Sequence, residues 1–310
     1  MHTFRAMNTV IVTDGLPGPH QTGCEEWFDY AEQSLSRFLP DSELSRLNRS
    51  GNVPFRASRL LYEILSIAES HYHETAGLFN PYLGTLIASL GYEHSFELLQ
   101  ASTSIAPTGR FKLTSDGYCR LDNEKRTITL GIGTAVDLGG IAKGWAAHTF
   151  ALSLQNEGIK RGAIGAGGDL AIWGEPSLMR EIDIASPLDE ERDLLTLAVW
   201  GTLGIATSSS AKRRWVDSSG RTHHHILDPR SGSEAESDLL QVTLLAPNLL
   251  QAEIYAKCLL ILGERSGMRW LYERHPDCAA ILVRQDGSWT GCGNMSRYTE
   301  RGGADHERVG

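Results

Sequence analysis

The sequence predicts an α+β fold, and three observations carry that reading. Strand-like and helix-like segments alternate irregularly, without the repeating strand–helix–strand rhythm of a parallel sheet. The length, 310 residues and 34.0 kDa, is ample for one large buried core or two smaller ones. Apolar residues make up 41% and charged residues 22%, which is ordinary globular usage and excludes a disordered or fibrous chain.

The elements follow in order. Residues 4–12 hold a short β-like run ending in Val10, Ile11 and Val12. A helix is expected over 23–38, with Trp27, Tyr30, Leu35 and Phe38 as its apolar set. Pro40 and Ser42, the latter three residues before Ser45, suit a turn that opens a short helix. Residues 57–76 read as an amphipathic helix in which Leu60, Leu61, Ile64, Leu65, Ala68 and Tyr72 share one face. Gly77 is its fitting stop. Residues 92–112 read as a variable connection, and 118–130 as a hairpin split by the polar DNEKR. After a loop at 131–137, helices are expected at 141–154, 248–262 and 264–274. Strands are expected at 162–166, 169–174, 181–186, 194–206, 239–246 and 279–285. The division is a main domain over 1–294 and a polar tail over 295–310.

Charge narrows the function classes. Lys and Arg number 29 against 38 Asp and Glu, a net of −9, which disfavours nucleic acid and anionic lipid as partners. No run approaches 18 apolar residues, so no direct membrane insertion is expected. The stretch MHTFRAMNTVIVTDG lacks the apolar core of a secretory signal, and the five cysteines are scattered without a CxxC pair. The expected compartment is the cytoplasm.

Five segments exceed what folding alone requires. Gly77-Leu78-Phe79-Asn80-Pro81 makes a fixed turn after a helix, and a plain helix-ending loop explains it equally. Val136-Asp137-Leu138-Gly139-Gly140-Ile141-Ala142-Lys143-Gly144 leads through a glycine pair into a helix. Its N-terminal N–H groups form an anion site, unless Asp137 is only an N-cap and Lys143 a solvated charge. Gly165-Ala166-Gly167-Gly168-Asp169 is a Cβ-poor corner where a phosphate or flat ring could lie against backbone, without the spacing of a P-loop. Hydroxyls at 207–210 precede the cations Lys212, Arg213 and Arg214. In the following run of histidines, His223 and His225 share a strand face, so one could act as a general base. Ser208 lacks the GxSxG elbow of a hydrolase nucleophile. Glu253 and Lys257 lie four apart on a helix, either as an exposed ion pair or over a ligand.

Taken in order, SRFLPDSELSRLN, GLFNPYLGTL with GY following, VDLGGIAKGWAA, GAGGDL, IATSS, HHILDPRSG and QAEIYAKCLLILG resemble the motifs of the FAD:protein FMN transferases, the ApbE-type flavin transferases. The resemblance runs from about Met7 to about Gly287. It implies a two-lobed α+β fold with FAD in the cleft between lobes. It also implies an enzyme that attaches FMN through its phosphate to a Ser or Thr of an acceptor protein, releasing AMP. Two alternatives stand beside it, a flavin-binding protein without transferase activity and an FAD pyrophosphatase.

By motif position, the resemblance implies FAD contacts from Met7, Phe38, Leu78, Phe79, Asn80, Asp137 and Thr207, with Gly167, Gly168 and Asp169 forming the glycine corner. His225 is the implied base for the acceptor hydroxyl, Ser208 pairs with Thr207 near the phosphates, and Asp228 braces its turn. Asn80 stands where the family usually has Asp. Magnesium is implied at the Gly140 carbonyl and at two helix positions, an Asp and a Thr, which here read Glu253 and Lys257. Glutamate can still ligate; a charged lysine has no lone pair to offer. The expectation is therefore that the Lys257 ammonium takes the metal's place, held by Glu253 and the Gly140 carbonyl. In the other arrangement it points outward while Glu253 binds magnesium with water.

Overall fold

Two strands, β1 (His2–Ala6) and β2 (Thr9–Asp14), open the computed structural model, which describes residues 1–89, 119–189, 191–212, 214–216 and 222–300. The sequence shows one run here. The chain instead reverses at Met7 and Asn8, whose φ angles of 51° and 56° make the left-handed two-residue turn that matches strand twist. Neither residue is glycine, so the turn is strained, and the Met7 N–H is held by Glu32 Oε2 at 2.7 Å.

Helix α1 (Gly18–Leu35) starts earlier than expected, with Pro19 inside its first turn, and stops at Leu35 because Ser36 is extended. Its buried stripe is Cys24, Phe28, Ala31 and Leu35. Tyr30 is exposed, and Phe38 lies beyond the helix. Helix α2 (Glu43–Arg49) is capped as the sequence indicates, Ser42 Oγ accepting from the Ser45 N–H at 2.9 Å. After β3 (Phe55–Arg56), α3 (Arg59–Glu74) buries Leu60, Leu61, Ile64, Leu65 and Ala68, the predicted face. Each of the Leu and Ile side chains stabilises by about 1.5–3 kcal/mol on full burial. Gly77, at φ 80°, terminates it by donating its N–H to the Tyr72 carbonyl at 2.8 Å. A short α4 (Gly84–Ser89) follows, which the pattern does not reveal. The variable connection at 92–112 lies outside the described residues.

The hairpin of β4 (Cys119–Asp122) and β5 (Thr127–Leu130) forms as expected, and β3 extends it into a three-stranded sheet. Helix α5 is Ala142–Asn156. Then come β6 (Gly162–Ala166), β7 (Asp169–Trp173), β8 (Met179–Ala185), β9 (Asp193–Trp200) and β10 (Leu203–Ser209). The expected single strand over 194–206 is thus two strands, broken by Gly201 at φ 73°. Small hairpins follow, β11 (Arg214–Val216) with β12 (Thr222–His224) and β13 (Leu227–Asp228) with β14 (Ser233–Glu234). The chain ends on β15 (Leu239–Ala246), α6 (Leu249–Leu262), α7 (Glu264–Arg274), β16 (Ala279–Arg284), β17 (Trp289–Gly293) and α8 (Met295–Thr299). Where the sequence suggests a loose tail from 295, α8 forms, because Tyr298 is buried and its hydroxyl donates to the Asp277 carbonyl. Residues 301–310 lie outside the described part.

One eight-stranded antiparallel sheet, ordered β1-β2-β6-β7-β10-β15-β16-β17, organises the molecule. Helices α5 and α6 cover one face. The β8–β9 hairpin and α8 cover part of the other, around Val199, Leu203, Ile205 and Tyr298. Central strand β15 is therefore buried at every position and is apolar on both faces, with Gln241 and Thr243 as its two polar residues. Among the described residues, no helix is long and apolar enough to cross a membrane.

Candidate active site

A cavity of about 830 Å³ opens where the sheet meets the helices, near the upper end of the ~300–1,000 Å³ usual for small-molecule sites. Every residue that the resemblance assigns to FAD, to the transfer or to the metal borders it. The strained turn after β1 brings Met7, and the segment after α1 brings Phe38. The turn after α3 brings Leu78, Phe79 and Asn80, and the approach to α5 brings Asp137 and Gly140. The β6–β7 turn supplies Gly167, Gly168 and Asp169. Strand β10 supplies Thr207 and Ser208, the segment after β12 supplies His225, and α6 supplies Glu253 and Lys257.

Backbone geometry explains several of these placements. Gly167 and Gly168 form a two-residue hairpin turn at φ 69° and 98°, and a Cβ on Gly167 would lie 2.6 Å from Thr9 Oγ1. Asn80 Oδ1 accepts the Tyr82 N–H at 2.8 Å, which shapes the turn that presents Leu78 and Phe79. An aspartate would accept the same bond, so the asparagine costs the cavity a charge and leaves the turn intact. Asp228 braces its own turn, accepting from the Arg230 N–H and Nε–H, each at 2.9 Å.

Helices α5 and α6 meet through a matched pair of spacings. Glu253 and Lys257 on one helix face Gly140 and Gly144 at and before the start of the other. Glu253 Oε2 accepts the Gly144 N–H at 3.0 Å, and Lys257 Nζ donates to the Gly140 carbonyl at 3.1 Å. A Cβ on Gly144 would lie 2.3 Å from Glu253 Oε2, and one on Gly140 would lie 2.0 Å from Lys257 Nζ. The glycines thus admit charged side chains to the backbone. A carboxylate of the protein itself takes part of the helix N-terminus that the sequence offers as an anion site. Lys143 is largely buried, not solvated. Its Nζ lies 3.8 Å from Glu253 Oε1 and donates to the Gly139 carbonyl at 3.3 Å. The ion pair of Glu253 is with Lys143; the hold of Lys257 comes from the Gly140 carbonyl.

Asp137 does not cap α5, whose N-cap residue is Ile141. Its Oδ1 accepts the Gly139 N–H at 2.6 Å, and its Oδ2 pairs with Arg37 Nε at 2.7 Å. Arg37 has no signal in the sequence, because its partner is distant in the chain. Asp169 Oδ1 accepts the Thr207 N–H at 2.9 Å, and Thr207 Oγ1 shares a 2.8 Å bond with Thr243 Oγ1. Burial, reinforced by the Glu253 carboxylate, pushes the Asp169 carboxyl up to about 7. Burial also pulls the Lys257 ammonium below its ordinary range, while Glu253 opposes that pull. Other cavity residues without a sequence signal are Gln241 and the β8 stretch from Ile182 to Ala185. Gln241 Nε2 donates to the Ala185 carbonyl at 3.0 Å and ties the hairpin to the sheet.

This donor set does not fit the divalent ion that the resemblance implies. The Gly140 carbonyl already accepts from an ammonium, and Glu253 is engaged by an N–H and a second ammonium. Two cations at the locus repel a third. Among the described residues, no group of three or more His, Cys, Asp or Glu is disposed to hold a metal.

The model of the ApbE family matches residues 2–282. An FAD:protein FMN transferase of Vibrio cholerae is 27% identical over 86% of this chain and 80% of its own length. That of Escherichia coli K12 is 25% identical over 84% and 72%. Among solved structures, the ApbE protein of Thermotoga maritima superposes with a TM-score of 0.76 at 20% identity, covering 96% of this chain and 98% of that one. The flavin transferase ApbE of Vibrio cholerae gives 0.72 at 21% identity, covering 95% and 96%.

Proposed function

The chain belongs to the ApbE family, and from that premise we propose that it transfers FMN from FAD to a Ser or Thr hydroxyl of an acceptor protein. The observation that supports this most is the convergence of seven separated sequence stretches on one cavity that joins an apolar wall to the ammonium groups of Lys143 and Lys257. Leu78, Phe79 and Phe38 offer an apolar surface for a flat ring system. Lys143 and Lys257 face the same space and suit a diphosphate.

In this reading the acceptor oxygen attacks the phosphorus on the flavin side of the diphosphate. A new P–O bond forms, the bond from that phosphorus to the bridging oxygen breaks, and AMP leaves with the bridging oxygen and its electron pair. The hydroxyl proton passes to a base, and His225 at the cavity edge is our candidate. Ser208 and Thr207 line the path beside the phosphates. Such a reaction demands positioning and charge neutralisation more than covalent help from the protein. Five unpaired cysteines suit a reducing compartment, so a cytoplasmic acceptor is expected.

The test incubates the protein with FAD and a candidate acceptor, followed by a denaturing gel read by flavin fluorescence and an assay for AMP. A fluorescent acceptor band with equimolar AMP is expected. AMP without a band would make the protein a pyrophosphatase, and intact FAD would make it a binding protein.

A further inference from the structure

We propose that Lys257 is a resident cation, fixed on the Gly140 carbonyl to neutralise the diphosphate of the bound dinucleotide, so that binding and transfer need no divalent metal. The proposal rests on the flavin-transfer reading and deepens it by naming what balances the substrate's charge.

Four features of the α5–α6 contact carry it. The Lys257 ammonium borders the cavity and donates to the Gly140 carbonyl at 3.1 Å, which spends one of its three N–H donors and leaves the others for a ligand. Position 140 is glycine, and any Cβ there would stand 2.0 Å from that nitrogen and push the ammonium off the carbonyl. Glu253, which offers the locus a full negative charge, is committed to the Gly144 N–H and to Lys143 rather than left open toward the cavity. Lys143 adds a second ammonium whose charge is balanced by Glu253, so Lys257 is the cation at this locus that is left for a ligand diphosphate. A divalent ion would have to displace Lys257 from the carbonyl and would then be repelled by that ammonium. An ammonium needs no such rearrangement and brings its charge with the fold.

The test separates this from the transferase reading. FAD affinity is measured by flavin-fluorescence quenching in millimolar EDTA and in millimolar magnesium, with riboflavin, which lacks the diphosphate, as the paired ligand. Manganese binding is followed by its paramagnetic resonance signal, with and without FAD. Transfer to the acceptor is measured in the same two buffers. The expected results are FAD affinity and labelling equal within about twofold in both buffers and no FAD-dependent capture of manganese. Lys257→Met should weaken FAD at least tenfold while riboflavin binding holds, and Lys257→Arg should recover most of the loss. Should Lys257→Met fail to fold, the wild-type buffer comparison and Lys257→Arg still decide. A tenfold or larger gain in FAD affinity or labelling with magnesium, or equal loss of FAD and riboflavin in Lys257→Met, overturns the resident cation and leaves the transferase standing. Metal-indifferent FAD binding without labelling in either buffer does the reverse for binding, and no FAD binding at all overturns both.

Discussion

Helices α3 and α6 each carry oppositely charged residues four positions apart, yet the two pairs do opposite things. Arg59 and Glu63 on α3 lie 3.9 Å apart in solvent, with side chains 87% and 47% exposed. Glu253 on α6 has a side chain only 8% exposed, and its partners come from α5, 109 residues earlier for the Gly144 N–H. Lys257 reaches 117 residues back to the Gly140 carbonyl. The i,i+4 spacing makes a local pair only where water surrounds the face; where another helix packs on it, each charge must be met by a backbone group or ion of that neighbour. In α6 the charges are therefore part of the cavity, and in α3 they are decoration on a helix held by its apolar side.

The comparison is sharpened most by Glu253→Ala. Removing that carboxylate leaves Lys143 in an enclosed site without its ion pair, and a loss of about 3–5 kcal/mol is expected in urea denaturation. Leu61→Ala tests what holds α3. Leu61 is fully buried, so about 2–5 kcal/mol should be lost, with riboflavin and FAD affinities changed little in the folded fraction. Gly144→Ala places a methyl group 2.3 Å from Glu253 Oε2 and displaces that oxygen from the Gly144 N–H, and about 1–3 kcal/mol of destabilisation is expected in urea denaturation.

A gentler probe is pH. The native Asp169 carboxyl holds its proton up to about pH 7, whereas the unperturbed group releases it near 3.8. Between these values the native state binds more protons than the unfolded one. The contribution of this group is thus fully present below about pH 4 and is lost as pH rises toward 7. Asp169→Asn should flatten that part of the stability profile; an unchanged slope would mean another group sets it. The smallest effect belongs to Glu63→Ala. A shift within about 0.5 kcal/mol is expected, and a loss as large as that of Glu253→Ala would break the contrast between the helices.

Much of this molecule is legible along the chain. The apolar period of α3, its stop at Gly77 and the Ser42 cap of α2 arise from neighbouring residues, and local physics is enough to place them. Other features are hidden for identifiable reasons. The turn at Met7 and Asn8 lacks glycine, so nothing marks the break between β1 and β2. The β9–β10 turn sits inside a long apolar run in which Gly201 is easily passed over. Helix α6 is apolar nearly all round, so its sequence does not indicate which face meets α5.

The sequence by itself determined the residue types of the site and their order, and with them the family to which the chain belongs. Only the tertiary structure decided that Arg37 meets Asp137, that Glu253 closes the start of α5, and that Lys257 rests on a backbone carbonyl. The reason is range. Caps and periodic faces are set by atoms a few residues away, whereas the surroundings of these buried charges are supplied by segments a hundred or more residues distant, which come together only once the sheet and its helices have packed.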